Sequence, residues 1–494
     1  MAEVRSPTTG EVLGTVAEAT AADVRAAAAA AAVIQPLWAS VPAAARALYL
    51  RRAAQAVLDD IDGLAGLLAR ETGRPRTEAL LAELLPSVSA LDALVDDGPK
   101  ALADSRLGRP AVLRAGRRAV LVQAPVGIVG MRARSASPWA EPMLEAAASM
   151  LAGNAVLLVP TAPLAAQRIV AAFIRAGVPG DLITVLAGAG DMLEDAGLDR
   201  VADLGGDDAK TTMLVLGDAP LEETVSGALW AAFAGAGRHP AAAGRLVVSA
   251  GLAEPLLERL VDGAQRLRLG DPEDAATEVG PLGSRADLDA VERLVADAES
   301  GGAERLCGGP VTPPGLDGAF YAPVILRGVR EDARLMRERP PGPVLAVLEA
   351  ESDDHAIALA GDVGGGAVSV WTGDRGRGER IARSLGAELA WVNEHGTAVP
   401  SVPVRLARHT VPHRLASQPA HLRSARWLPY DPTLVQARTA AARLLHGRES
   451  ERVAALRDGA LPLARVALQA ARGAVQLKRS GANGDRSNDD GSPQ

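Results

Sequence analysis

The sequence predicts an α/β protein built on doubly wound parallel sheets. Three observations carry that expectation. Short apolar runs at 156–159, 182–186 and 201–204 alternate with segments of helical apolar spacing. The same alternation of strand and helix returns over 219–300 and again over 344–393. The chain has 494 residues, 48% of them hydrophobic, which is enough for two or three domains and a large core.

Taken in order, residues 4–18 read as two short strands around the turn cluster Ser6-Pro7-Thr8-Thr9-Gly10. Thr20 and Asp23 make a capping-box pair for a helix expected to reach about Val33, with Pro36 as its stop. Leu48, Leu50, Val57, Ile61, Leu64, Leu67 and Leu68 fall at helical spacing, so a second helix is expected over 42–71, with a break near 59–62. A further helix covers 76–96. Residues 112–129 turn to strands, with Ala115-Gly116-Arg117-Arg118 as a hairpin turn. A helix at 163–176 separates the strands at 156–159 and 182–186. Helices at 219–235, 252–267 and 284–300 flank a strand at 245–249. Beyond about 425 the character changes. Residues 431–445 and 461–477 read as amphipathic helices joined through 447–452, and the Gly/Asn/Asp/Ser-rich stretch 480–494 reads as a disordered tail.

Composition removes several function classes. A net charge of −8 argues against a nucleic-acid partner. Only 2% of residues are aromatic, so the core must be made of Ala, Val and Leu. Lysine occurs only at Lys100, Lys210 and Lys478, none in a motif suited to Schiff-base chemistry. The single cysteine, Cys307, excludes an internal disulfide framework and a cysteine-cluster metal site. The start Met1-Ala2-Glu3-Val4-Arg5 shows no leader pattern, and the Ala-rich stretch 26–37 is too short to span a bilayer of roughly 30 Å. A cytoplasmic protein without membrane contact is expected.

A set of short motifs then fixes a likeness. Ala124-Pro125-Val126-Gly127-Ile128-Val129-Gly130, Ser137-Pro138-Trp139 and Leu151-Ala152-Gly153-Asn154-Ala155-Val156 occur in that order. They are followed by 267–281, Gly342-Pro343-Val344, Ser369-Val370-Trp371-Thr372 and Trp391-Val392-Asn393. In order and spacing, residues 3–400 resemble the aldehyde dehydrogenase superfamily. The resemblance implies two Rossmann-like doubly wound domains and a small β oligomerisation element. It assigns 1–110 and 130–218 to a cofactor-type domain and 219–394 to a catalytic-type domain. Residues 111–129 and about 395–425 become oligomerisation strands. Residues 426–479 remain as a helical extension and 480–494 as the tail.

The same resemblance locates the chemistry and shows it altered. The family's nucleophilic cysteine corresponds to Pro240, within Gly235-Ala236-Gly237-Arg238-His239-Pro240-Ala241. Proline has neither a nucleophile nor a backbone N–H. The family's oxyanion donor, an Asn after Pro-Trp, corresponds to Ala140, whose methyl cannot hydrogen-bond; loss of such a donor costs about 10²–10³ in rate. The candidate general base is Asp203 in Asp203-Leu204-Gly205-Gly206, which reads equally as a strand-end aspartate. The short distance from there to Met213-Leu214-Val215-Leu216 suggests that two family segments have fused through a deletion. The cofactor anchors are degenerate too: Val159-Pro160-Thr161-Ala162 stands for the Lys-Pro-Ser-Glu run, so Val159 and Ala162 lack its charges. Arg339 stands at the nicotinamide-ribose carboxylate, with Glu338 one residue out of register.

Other candidates carry less. Cys307 lies in a segment matching a surface strand and turn of the family. Gly188-Ala189-Gly190 lacks the third glycine of a dinucleotide fingerprint. His409, His413 and His421 cluster near the end of the fold, but Pro412 breaks any i, i+4 metal face, so no metal is expected. His239 abuts Pro240 as a relic or as a ligand contact. The combined expectation is a catalytically silent family member that binds no cofactor. It would act as a structural or regulatory subunit in a homo- or hetero-oligomer with an active aldehyde dehydrogenase paralogue. The alternatives are an NAD- or NADP-dependent aldehyde oxidoreductase with displaced groups, and a small-molecule binding module.

Overall fold

Two sheets, each flanked by helices, lie in the larger of two units, Met1–Leu102 with Pro125–Thr410. The structure, a computed structural model, describes residues 1–107, 118–133, 137–204, 211–361, 366–396, 401–417 and 427–484. The first sheet orders its strands Ile183–Val185, Ala155–Val159, Ile128–Ala133 and Arg200–Leu204, all parallel. Every residue of Ala155–Val159 is buried, as expected of an apolar run covered on both faces. The covering helices include Ala21–Ser40, Ala43–Leu58, Leu85–Ala101, Ala140–Ala152 and Pro163–Arg175. Alanine is their common packing residue. In Ala140–Ala152 everything from Pro142 onward is buried, so close approach over methyl groups stands in for aromatic bulk.

The second sheet has seven strands, in the order Glu304–Val311, Phe320–Arg327, Val344–Ala350, Ala243–Ser249, Thr211–Val215, Ala367–Trp371 and Leu389–Val392. The edge strand Glu304–Val311 is antiparallel to its neighbour and the other pairings are parallel. Residues 205–210 alone connect Arg200–Leu204 of the first sheet to Thr211–Val215 of the second. The smaller unit, Ala103–Ala124 with Val411–Gln494, contains a three-stranded sheet in the order Thr410–Ser417, Arg118–Pro125, Ser105–Arg106, and the helices Pro432–His446 and Glu449–Gly484.

Local signals account for most element ends. The Thr20–Asp23 capping box forms: Asp23 N–H donates to Thr20 Oγ1 at 3.3 Å, and Thr20 N–H donates to Asp23 Oδ2 at 2.8 Å. Pro36 does not stop that helix, which continues to Ser40. Proline removes one donor but its φ suits a helix. The last turn is anchored from outside, because buried Trp38 donates through Nε1 to Met150 O at 2.8 Å. The break near 59–62 is present, between Ala43–Leu58 and Ile61–Thr72. The helix expected to end at 96 runs to Ala101 after a π-helical turn at Ala79–Leu84. The expected hairpin turn falls mostly in 108–117, outside the described residues. Glu449–Gly484 is one helix, so residues 449–452 and 480–484 are helical, where a joint and a tail were expected. Its Ala, Leu and Arg content favours helix, and Arg448 N–H donates to Glu451 Oε2 at 2.8 Å at its start. Among the described residues, no single helix is long and apolar enough to cross a membrane.

Asn154, fully buried, joins three parts of the larger unit. Its Oδ1 accepts from Gly127 N–H at 2.9 Å, and its Nδ2 donates to Ser149 O at 3.1 Å and to His409 O at 2.9 Å. Asn154→Ala would strand a buried donor and a buried acceptor, a loss of about 2–4 kcal/mol. We expect a clearly lowered thermal midpoint. A midpoint within a degree of the parent would show that these bonds are replaced.

Candidate active site

The loop after helix Leu221–Phe233 is the centre of the site. Gly235, Ala236 and Gly237 take left-handed conformations in succession, with φ of 63°, 52° and 74°. A Cβ on Gly237 would lie 2.3 Å from Gly342 O, so a side chain there fits neither the backbone nor the space. Within the loop, Gly235 O accepts from Arg238 N–H at 3.1 Å and His239 O from Ala242 N–H at 2.8 Å, and side chains add further donors. Arg238 Nε donates to Gly235 O at 3.1 Å, and its Nη2 donates to Pro281 O at 2.9 Å. Arg339 donates to Pro240 O at 3.0 Å and to His239 O. His395 Nε2 lies 2.7 Å from Ala241 O, which fixes its proton on Nε2, and its Nδ1 accepts from Ser369 Oγ at 3.0 Å.

Pro240, His239 and Ala140 line one cleft of about 1230 Å³. The fold therefore brings together the sequence-derived nucleophile and oxyanion positions, without their functional groups. His239 Nδ1 accepts from Ala241 N–H at 3.2 Å. Burial, then the charges of Arg74, His395 and Arg339, push its pKa down to about 3. Burial likewise lowers that of His395. Ala140 begins helix Ala140–Ala152, and its N–H donates to Glu83 Oε2 at 2.8 Å. The same carboxylate oxygen accepts from Ser137 Oγ at 2.8 Å and Trp139 N–H at 3.2 Å, and Glu83 faces Arg74 at 3.5 Å. Burial raises the Glu83 pKa against these contacts. A carboxyl group thus occupies the amides beside the oxyanion position.

The cofactor positions tell a similar story. Ala162 and Thr161 line a second cavity of about 500 Å³, together with Arg74 and Arg238. Val159 is buried at the end of its strand. Helix Pro163–Arg175 could offer its amino-terminal N–H groups to an anion. Glu71 already takes them, accepting from Leu164 and Ala165 N–H at 2.8 Å each. Arg339, at the expected ribose carboxylate position, is committed to the loop carbonyls.

The remaining candidates lie elsewhere. Asp203 is on the edge strand Arg200–Leu204, paired with Arg132 at 2.6 Å, and does not line the cleft. Glu338 is exposed and pairs with Arg334 at 2.8 Å. Cys307 is buried on Glu304–Val311, its thiol facing Pro323 O at 3.5 Å and raised in pKa by burial. Gly188 and Gly190 belong to a turn beyond Ile183–Val185, where Gly190 O accepts from Arg132 Nη1 at 3.3 Å. His409 is buried against Glu145, with Nε2 2.7 Å from Oε2. His413 is exposed on Thr410–Ser417, and His421 lies outside the described residues.

Sequence reasoning missed the tryptophans. Trp230, Trp371 and Trp391 converge on the cleft, half of the six in the chain. The scarcity of rings was the available signal. Their convergence depends on strand order, which spacing along the chain does not encode.

Helix-flanked parallel sheets beside such a cleft define a doubly wound α/β protein. The chain belongs to the aldehyde dehydrogenase family, whose model matches residues 1–202 and 199–405. The two matches overlap at residues 199–202, at the start of strand Arg200–Leu204. Among solved structures, it is similar to a putative aldehyde dehydrogenase from Burkholderia cenocepacia, with 27% identity and a TM-score of 0.77 over 86% of this chain and 96% of that one. A NAD-dependent benzaldehyde dehydrogenase from Corynebacterium glutamicum shares 23% identity, with a TM-score of 0.74 over 87% of this chain and 95% of that one. A glyceraldehyde-3-phosphate dehydrogenase from Methanocaldococcus jannaschii, complexed with NADP, shares 22% identity, with a TM-score of 0.73 over 84% of this chain and 99% of that one. The last two likenesses concern the fold.

Two expectations test the loop. Arg339→Ala removes both guanidinium bonds to its carbonyls, so the Ala241 and Ala242 amides should exchange hydrogen at least tenfold faster, by roughly 1.4 kcal/mol of local stability. Unchanged exchange would show that Arg339 does not hold the loop. The second concerns pH. Between the His239 value of about 3 and the ordinary 6.5, the unfolded chain binds a proton that the native state refuses. Stability from the neutral ring is therefore complete above pH 6.5 and is lost as pH falls toward 3. Between pH 6.5 and 5 this amounts to about 2 kcal/mol. His239→Gln should flatten the fall of the melting temperature over that interval; parallel curves would contradict the assignment.

Proposed function

We propose that this protein is a catalytically silent member of the aldehyde dehydrogenase family, acting as a structural or regulatory subunit beside an active paralogue. One observation carries the silent part: the nucleophile position is Pro240, on a loop whose carbonyls are bound by Arg339 and His395. No thiol lines the cleft among the described residues. Ser226, a hydroxyl on its wall, donates to Glu222 O of its own helix. His239, with a pKa of about 3, is a weak base at neutral pH. Ala140 offers no side-chain donor, and its amide faces the Glu83 carboxyl. These features support the reading jointly, because groups that act as a unit leave little rate when several are lost. The subunit role rests on the retention of both sheets and their apolar cores around altered chemistry.

A second reading, a small-molecule binding module, is favoured by the open cleft of about 1230 Å³. Both readings expect no turnover and no dinucleotide site. Calorimetric titration with NAD⁺ and NADP⁺ should give no saturable heat at micromolar concentrations, and aldehyde should not drive dinucleotide reduction. Pro240→Cys should stay inactive, since a thiol alone restores neither the oxyanion donor nor the cofactor anchors. Micromolar dinucleotide binding with steady reduction by the parent protein would overturn the proposal. Co-expression with a thiol-bearing homologue from the same genome should yield a mixed oligomer. Exclusive self-association beside every such homologue would remove the subunit role.

A further inference from the structure

The cleft has walls that the loss of catalysis does not explain. Trp230 and His239 pack edge to face at 5.1 Å between ring centroids, and Trp391 lies 5.2 Å from His395. Trp371 joins them, its Nε1 donating to Ser369 Oγ at 3.3 Å. Trp371 and Trp391 are 5% exposed and Trp230 is 37% exposed, so two indoles form fixed walls and one stands open to the space. Gly227, on helix Leu221–Phe233, makes this possible: a Cβ there would come within 2.2 Å of the Trp371 ring.

The charges in the lining have one sign. Glu222, Glu223 and Glu394 contribute to it, and no lysine or arginine does among the described residues. Glu222 is partly neutralised by Arg259 at 3.1 Å from outside the lining. The two imidazoles are neutral at pH 7, because burial lowers both. Indole faces beside carboxylates, with Arg339 engaged on the loop carbonyls and outside the lining, match the demands of a positively charged organic group. An anionic ligand would meet three carboxylates, and a neutral one would gain nothing from them.

We propose that this cleft binds a small organic cation, an alkylammonium or quaternary ammonium ion, against its tryptophans, with the glutamates supplying counter-charge. The site takes its ligand without chemistry, so the proposal goes beyond catalytic silence and does not depend on a partner subunit. Choline and its neutral isostere 3,3-dimethylbutan-1-ol separate charge from shape. Calorimetric titration of the full chain should show saturable choline binding, with the alcohol at least about tenfold weaker. Trp230→Leu, at the most exposed indole, should weaken choline about fivefold or more. The double variant Glu222→Gln/Glu223→Gln should weaken it too and leave the alcohol unchanged. Unaltered far-ultraviolet circular dichroism and a cooperative thermal transition would show that the variants are folded, and the choline–alcohol comparison needs no variant. Equal affinity for the two probes, no saturable choline binding, or choline binding indifferent to both variants would each overturn the proposal.

Discussion

The capture of loop carbonyls by cationic and imidazole side chains is the constraint on which the site depends. Residues 235–237 run left-handed and Pro240 has no N–H, so the segment cannot join a helix or a strand. Carbonyls at such a place must find donors, or their burial is costly. The side chains of Arg238, Arg339 and His395 supply them, together with the backbone N–H groups of Arg238 and Ala242. Each side chain is thereby withdrawn from other duties. Arg339 cannot hold the loop and also stand where a ribose would need a carboxylate. His395 must keep its proton on Nε2, so it presents neither a free base nor a charge to the cleft.

The fold tolerates this exchange because its stability lies elsewhere. The first core is a stack of alanine-rich helices on a fully buried strand, and the second sheet has its own apolar cores. The buried carboxyls Glu71 and Glu83 also serve structure. One caps helix Pro163–Arg175, and the other gathers Ser137, Trp139 and Ala140 at the start of Ala140–Ala152. Neither bond set requires a ligand. The same groups that would crowd a phosphate or an oxyanion complete the hydrogen bonding of the protein on its own.

Much of the fold was legible in the sequence, because apolar period and turn residues act locally. The Thr20–Asp23 cap, the break before Ile61 and the alternation over 344–393 all follow from spacing. Pro36 misled because a tertiary anchor, Trp38 on Met150 O, outweighs a local stop signal. Pro240 and Ala140, which the resemblance placed at the nucleophile and oxyanion positions, line one cleft. The long-range partners around them were not legible. The hold of Arg339 on residues a hundred positions away, and the meeting of Trp230, Trp371 and Trp391, are products of strand order, which sequence period does not carry.

Three of the six tryptophans line the cleft, and their packing differs from one to the next. Both sheets' cores are mainly small aliphatic residues with a few rings among them, Trp38, Trp139 and Phe173 in the first and Phe233 and Trp371 in the second. An indole against a helix also demands a local concession, here a glycine at position 227, which weakens a helix interior by about 1 kcal/mol relative to alanine. Trp371 is 5% exposed and packs in the core of the second sheet while its edge reaches the wall of the cleft, so one ring serves both, and the glycine at 227 is the local cost of seating it.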